Sequence, residues 1–300
     1  MTAQEDRPRS AHAQSWLLGL LGENIGGSMS PLLQESEAQR QGLPLLYRLL
    51  DSEQMGVAEP DWAALVSEAQ RMSFNGLNVT HPAKQAIFPA LDELTPDAEL
   101  LGAVNTVVFR EGQAIGMNTD HLGFSEALAS IRTESAPTRM GHVVQLGAGG
   151  AGAATAYSLL QAGAERLSIA DVDRERVSAL IDRLSAQFDR SRMVALRLDE
   201  APEAVRLADG LVNSTPIGMT GVSDASPVDV GALHSRLWVG DVVYRPLQTT
   251  LVRAAEALGC RVFGGGRMVV GQAVASFGMF TGRQADRDAM YEVFLEATRG

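Results

Sequence analysis

The amino-acid sequence predicts an α/β protein in two domains, and three observations carry the prediction. Segments of strand character alternate with segments of helical periodicity, the pattern of βαβ units and of parallel sheet. The chain has 300 residues, more than a single core usually serves. A glycine-rich turn, Gly147 to Gly152, directly follows one apolar run and opens a helical one.

The elements follow in order. The polar start, MTAQEDRPRSAHAQ, is expected to fray. The apolar run SWLLGLLG then reads as a first buried strand; Trp16 to Leu21 is too short to span a membrane, and no small-residue cleavage site follows. SPLLQESEAQRQGL has helical periodicity, with Pro31 suited to the first turn and Gly42 near the end. LLYRLLD is a second strand, WAALVSEAQRM a helix, FNGLNVT a third strand and KQAIFPALDEL a short helix. GAVNTVVFREGQAIGMNTD holds two short strands separated by the turn REGQ. The character then changes: HVVQLGAGGAGAATAYSLLQAGAERLSIADVD reads as strand, glycine turn, helix, strand. VSALIDRLSAQF is a helix; MVALRL, GLVNST and LWVGDVV are strands; TTLVRAAEALG is a helix. A hinge is expected near Thr119 to Leu122 and again near Gly264 to Gly266. The implied division is 1–120 for the first domain, 121–268 for the second, and a helical segment 269–300 packing back on the first.

Composition narrows the function. Hydrophobic residues make up 45% and charged residues 20% of the chain, as in ordinary soluble proteins. The net charge of −11 argues against nucleic acid and anionic membranes, both of which attract basic patches. An anionic substrate would need hydroxyls, amides or a few local cations. One cysteine, Cys260, permits no internal disulfide and implies no oxidising compartment; a cytoplasmic location is expected. No His/Cys/carboxylate spacing suggests a metal. Of the histidines, His12 and His142 are expected at the surface or terminus, and His234 lies on a polar segment.

The glycine turn carries a mechanism. Gly147-Ala148-Gly149-Gly150-Ala151-Gly152 fits G-x-G-x-x-G, and Asp171 ends the next strand. The first glycine makes the turn, the second admits a pyrophosphate, and the third lets helix and strand approach. The helix N-terminus adds free N–H groups and partial positive charge. Strand, turn, helix and acid together predict a Rossmann-type doubly wound domain that binds a dinucleotide; the alternative is a tight turn that binds nothing. In the first half, GLNVTHPAKQ places Lys84 just past a buried strand. Taken alone it reads as a solvated loop lysine.

Read together, these segments resemble the shikimate dehydrogenase family, and more closely its bacterial quinate/shikimate dehydrogenase branch, from about Leu18 to Phe280. The motifs fall in family order: SMSP at Ser28–Pro31, NVTHPAK at Asn78–Lys84, GAVNT at Gly102–Thr106, GMNTD at Gly116–Asp120, GAGGAG, NSTPIGM at Asn213–Met219, YRPLQTTL at Tyr244–Leu251 and GGGRMVVGQAVASF. Met117 departs from the polar or aromatic residue many members carry there.

The resemblance implies an active site in the cleft between an N-terminal substrate domain and the Rossmann domain. It implies oxidation of a ring alcohol on an anionic polyhydroxy cyclohexene or cyclohexane carboxylate, shikimate or quinate, by a monomer or homodimer. Lys84 would be the catalytic lysine, paired with Asp120. The chemistry agrees: hydride leaves carbon while a positioned side chain takes the hydroxyl proton, and partial desolvation brings a lysine toward the working pH. Asp120 also reads as an N-cap before a helix. Ser28 and Ser30 would hold the carboxylate, although Ser30 alone reads as the cap of the helix at Pro31. Asn105, Asp120, Thr80 and Gln272 would bind ring hydroxyls. Tyr244 is a further candidate, or a packed aromatic. Gly147–Gly152, Asp171, Thr215 and Gly265 would contact the cofactor. NAD is expected over NADP, because Asp171 stands where many members place an arginine for the 2′-phosphate. His81 and His121 flank the pair without a direct role. Alternatives are an aminoshikimate dehydrogenase, a methylenetetrahydrofolate dehydrogenase-like enzyme, or a non-catalytic nucleotide-binding regulator.

Overall fold

The computed structural model describes residues 15–132 and 140–298. The N-terminal stretch read above, His12 included, lies outside the described residues.

The first half builds a mixed sheet. In chain order it comprises β1 (Trp16–Gly22), α1 (Ser30–Arg40), β2 (Leu45–Asp51), α2 (Trp62–Arg71), β3 (Gly76–Val79), α3 (Ala83–Ala86), β4 (Glu93–Leu94), α4 (Pro96–Leu101), β5 (Thr106–Arg110) and β6 (Gln113–Met117). The strand order is β2-β1-β3-β5-β6-β4. β1 runs parallel to β2 and β3, whereas β5 is antiparallel to β3 and β6. The parallel pattern therefore does not extend through this half, where the two strands read on either side of the turn REGQ pair antiparallel. The cause is the two-residue turn at Glu111-Gly112, both with positive φ, which returns the chain on itself as hairpin turns do.

The second half is a parallel sheet. It comprises α5 (Asp120–Ala129), β7 (His142–Leu146), α6 (Gly150–Gln161), β8 (Arg166–Ala170), α7 (Arg174–Leu184), β9 (Met193–Leu196), α8 (Ala201–Arg206), β10 (Gly210–Asn213), β11 (Trp238–Asp241), α9 (Thr250–Ala257), β12 (Arg261–Gly264), α10 (Gly265–Thr281) and α11 (Arg287–Thr298). The order β12-β11-β10-β7-β8-β9, parallel throughout, is the doubly wound dinucleotide fold, with its switch point between β7 and β10. The inner strands β11, β10, β7 and β8 are buried on both faces, as parallel strands usually are, and the edge strands β9 and β12 are partly exposed.

Two helices join the halves. α5 leaves β6 and α10 leaves β12, at the stretches expected as the hinge. They cross with backbones in contact: a Cβ on Gly123 would collide with the Met268 carbonyl, and one on Gly271 would stand 2.9 Å from the Gly123 Cα. Met268 packs with Phe124 and Leu128 beneath the second sheet. Further along α10, Val270, Ala273 and Phe277 join Leu18, Leu33 and the α11 residue Phe294 beneath the first. Each fully buried Phe contributes roughly 1.5–3 kcal/mol relative to exposure.

Several local expectations need correction. KQAIFPALDEL is not one helix: α3 ends at Ala86, a 3₁₀ turn spans Phe88–Ala90, and β4 follows. Pro89 removes an N–H donor that a continued helix would need. α4, α8 and β12 are short elements that periodicity does not reveal. His142 is not a surface residue but half-buried on β7, its Nε2 2.9 Å from the Ser168 hydroxyl. Among the described residues, no helix is long and apolar enough to cross a membrane, and no cluster of metal-ligating side chains occurs.

Candidate active site

Lys84 enters the cleft on α3, immediately beyond β3. Its Nζ lies 2.5 Å from Asp120 Oδ2. The side chains are 21% and 11% exposed, so the pair is screened only partly. Asp120 sits in the first turn of α5, but the helix is preceded by Thr119 and has no side-chain cap from Asp120. Asn118 Oδ1 takes the Asp120 N–H instead, at 3.0 Å. The carboxylate is thereby free to accept from Lys84 and, at 2.8 Å, from Asn105 Nδ2. The capping alternative for Asp120 is excluded by this arrangement.

From Asp120 a buried polar row runs across the first sheet. Asn105 also donates to Thr119 Oγ1 at 3.0 Å, and its Oδ1 accepts the Thr119 N–H at 2.7 Å. Thr106 Oγ1 donates to Asn105 Oδ1 at 3.0 Å, and Asn78 Nδ2 donates to Thr106 Oγ1 at 3.1 Å. Tyr47 donates its phenol proton to Asn78 Oδ1 at 2.8 Å. Burial pushes the Tyr47 phenol far above its usual range, against an opposing hydrogen bond with Ser30, so Tyr47 stays a neutral donor. Ser28 Oγ donates to Ser30 Oγ at 3.2 Å. Ser30 does not cap α1: the preceding position is Met29, without a side-chain cap. Its hydroxyl faces the row instead. Tyr47, Asn78, Thr106, Thr119 and Asn118 are members that sequence reasoning did not nominate. All but Tyr47 lie inside or beside the motif segments; on an alternating strand nothing distinguishes Tyr47 from a core aromatic.

The remaining candidates are placed less closely. Thr80 is half-buried at the end of β3, its N–H donating to the Leu21 carbonyl at 2.9 Å. Gln272 packs beside Gly123 on α5, but its amide donates to the Val269 carbonyl at 3.0 Å, not to the row. Tyr244 packs on Phe294, centroids 6.4 Å apart, which fits the packed-aromatic reading. His121 binds Asp97 through Nε2 at 2.9 Å and meets the Tyr157 ring edge-on. Burial disfavours the Asp97 carboxylate, yet hydrogen bonds from His121 and Thr95 hold it below the usual range. His81 is exposed.

The glycine turn lies across the cleft. Gly147 has φ of 103°, and a Cβ there would stand 2.7 Å from the Ser214 carbonyl. A Cβ on Gly152 would collide with the Gly147 carbonyl, whereas one on Gly149 would meet nothing within 4 Å. The first and last glycines are thus packing requirements, and the middle one faces open space. Gly149 precedes α6 without a side-chain cap, leaving N–H groups for an anion. Asp171 fixes the turn: Oδ2 accepts the Ala148 N–H at 2.7 Å and Oδ1 the Asp173 N–H at 2.9 Å. Thr215 is tied to Asn213, which holds the buried Asp241. Burial raises the Asp241 carboxyl, opposed by hydrogen bonds from Thr249, the Val243 N–H and Asn213. Gly265 starts α10 against the Val242 carbonyl. A Cβ on Gly150 would lie 3.7 Å from Lys84 Cδ, so the lysine stem lies beside the nucleotide turn. The open face at Gly149, the uncapped helix and the oriented carboxylate fit a nicotinamide dinucleotide.

Comparison with known proteins agrees with this geometry. Residues 20–107 match the model of the shikimate dehydrogenase substrate binding domain, and residues 266–293 that of the shikimate 5'-dehydrogenase C-terminal domain. A shikimate dehydrogenase (NADP(+)) of Pseudarthrobacter chlorophenolicus is 48% identical over 96% of this chain and 97% of its own. A quinate/shikimate dehydrogenase (NAD(+)) of Corynebacterium efficiens is 43% identical over 94% of this chain and 98% of its own. The structure of a quinate dehydrogenase from Corynebacterium glutamicum in complex with NAD superposes with a TM-score of 0.88 at 41% identity, covering 94% of this chain and 99% of that one. With identity of this extent over nearly the whole length, added to the Lys84–Asp120 pair facing the glycine turn, the chain belongs to the shikimate dehydrogenase family.

Proposed function

We propose that the protein oxidises the ring alcohol of shikimate or quinate with NAD, and reduces the corresponding ketone in reverse. The observation that carries this reading is Lys84, held by Asp120 beside the nucleotide turn. An acid–base group beside the site of hydride transfer is what the reaction needs. When bound, the dinucleotide supplies the hydride acceptor. Gly149 and Gly150 would admit its pyrophosphate, and Asp171 its ribose hydroxyls.

The chain's own residues do the rest. Lys84 takes the hydroxyl proton, and Asp120 fixes the ammonium and one ring oxygen. Asn105 orients Asp120. At the far end of the row Ser28 and Ser30 hold the substrate carboxylate. Thr80 and Gln272 complete the ring contacts from the cleft walls, and Tyr244 packs on Phe294 behind them. Of the described residues, those within 1–120 and 269–300 form the substrate domain and those within 121–268 the nucleotide domain.

Rates measured for shikimate and quinate against NAD and NADP, on one preparation, test the assignment. Activity on at least one ring acid is expected; a folded protein inactive in all four combinations would refute it. Replacing both Ser28 and Ser30 by alanine is expected to raise KM for the ring acid more than KM for the cofactor. A lost hydrogen bond to a charged group costs roughly 1.5–3 kcal/mol, so the rise should be about tenfold or more. An unchanged substrate KM would remove the serines from the binding site.

A further inference from the structure

Arg245 belongs to the loop after β11, on the nucleotide side of the cleft, yet its guanidinium rests on the opposite wall. Nη2 points to Met29 Sδ at 3.2 Å, and a Cβ on Gly27 would stand 2.8 Å from Nη1. Gly27 and Met29 bracket Ser28, and Ser30 follows. The arginine therefore lies against the loop that presents the two serines. Its backbone is anchored by the Thr220 N–H, which donates to the Arg245 carbonyl at 2.8 Å, and the guanidinium carbon lies 5.9 Å from the Tyr244 ring centroid.

Among the described residues Arg245 has no carboxylate partner, in a chain with 36 acidic and 25 basic residues. A thioether is only a weak acceptor, so the Met29 contact leaves most of the five donors unused. A guanidinium matches a carboxylate with two parallel hydrogen bonds. We infer that Arg245 is a substrate-binding residue, a ligand of the substrate carboxylate supplied by the nucleotide domain and closing over Ser28 and Ser30. The inference rests on the proposed assignment of the serines to that carboxylate. It also accounts for how an acidic protein takes an anionic substrate: one cation crosses the cleft to the site, and binding of the carboxylate draws the two domains together.

The test compares R245A and R245K with the wild-type enzyme. The substrates are shikimate or quinate, whichever is turned over faster, and the methyl ester of that acid. R245A is expected to raise KM for the acid about tenfold to a hundredfold, the usual effect of losing a charged hydrogen bond, with KM for NAD changed by less than about twofold. The wild-type preference for acid over ester should shrink in R245A and be partly restored in R245K. Equal losses on acid and ester, or an unchanged KM for the acid, would overturn the inference alone and reduce Arg245 to a packing residue on Tyr244 and Met29. Wild-type protein that turns over neither ring acid would overturn both this inference and the function on which it rests.

Discussion

Replacing Lys84 by alanine is expected to lower kcat by about 10²-fold or more, with a much smaller change in substrate KM. That is the usual scale for a general acid–base residue. The substitution also removes one of the two side-chain donors to Asp120, leaving Asn105. Asp120 is 8% exposed, and taking one partner from a buried pair is costly, about 3–5 kcal/mol when burial is complete. Partial exposure of both side chains puts this case below that range. Lost activity could therefore be confused with lost fold. The double variant Lys84→Ala with Asp120→Asn separates the two, because it removes the stranded charge. It should recover thermal stability without recovering kcat. A folded Lys84→Ala enzyme with near-parental kcat would show that the proton is handled elsewhere.

Much of this site is written in the sequence as local pattern, and the part that is not depends on tertiary meeting. The nucleotide turn is legible because its first and last glycines answer local needs: a positive φ at Gly147 and close packing at Gly152. Lys84 and Asp120 are 36 positions apart, and no periodicity joins them; the ordered set of motifs does. Capping rules misplace Ser30 and Asp120 because they ask which side chain can reach the first turn, not which competing donors are present. Asn118 supplies the acceptor at α5 and so releases Asp120 for Lys84. Tyr47 was hidden for a different reason. Its strand shows ordinary alternation, and the polarity of its environment comes from Asn78 on β3, two strands away in the sheet. In the fold, the long parallel half was read directly from strand–helix alternation. The antiparallel β5–β6 pair and two-residue β4 were decided by turn chemistry and edge pairing, which alternation does not report.

Replacing Asp171 by alanine is expected to narrow the choice between cofactors. The wild-type enzyme should prefer NAD over NADP by about a hundredfold or more, because placing a 2′-phosphate beside a carboxylate costs several kcal/mol. Asp171 is well placed for this. Its oxygens accept the Ala148 and Asp173 N–H groups, which fixes the carboxylate at the end of β8, where ribose hydroxyls are read in this fold. Asp173, nearby, is committed to capping α7 through the Glu175 and Arg176 N–H groups. Arg176 is turned toward Asp173 at 3.5 Å, so of the basic residues that follow, Arg174 is the freer to meet a phosphate. In Asp171→Ala the kcat/KM with NAD should fall, since the ribose loses its acceptor and the glycine turn loses a tie. The kcat/KM with NADP should rise or fall less, since the repulsion is gone. The Pseudarthrobacter relative named for NADP(+) makes the wild-type comparison the decisive one. If the wild-type enzyme uses both cofactors equally, or prefers NADP, then Arg174 and Arg176 outweigh Asp171 and the electrostatic argument for NAD is wrong. If the preference is strong but survives Asp171→Ala unchanged, selectivity comes from the shape of the pocket and not from this carboxylate.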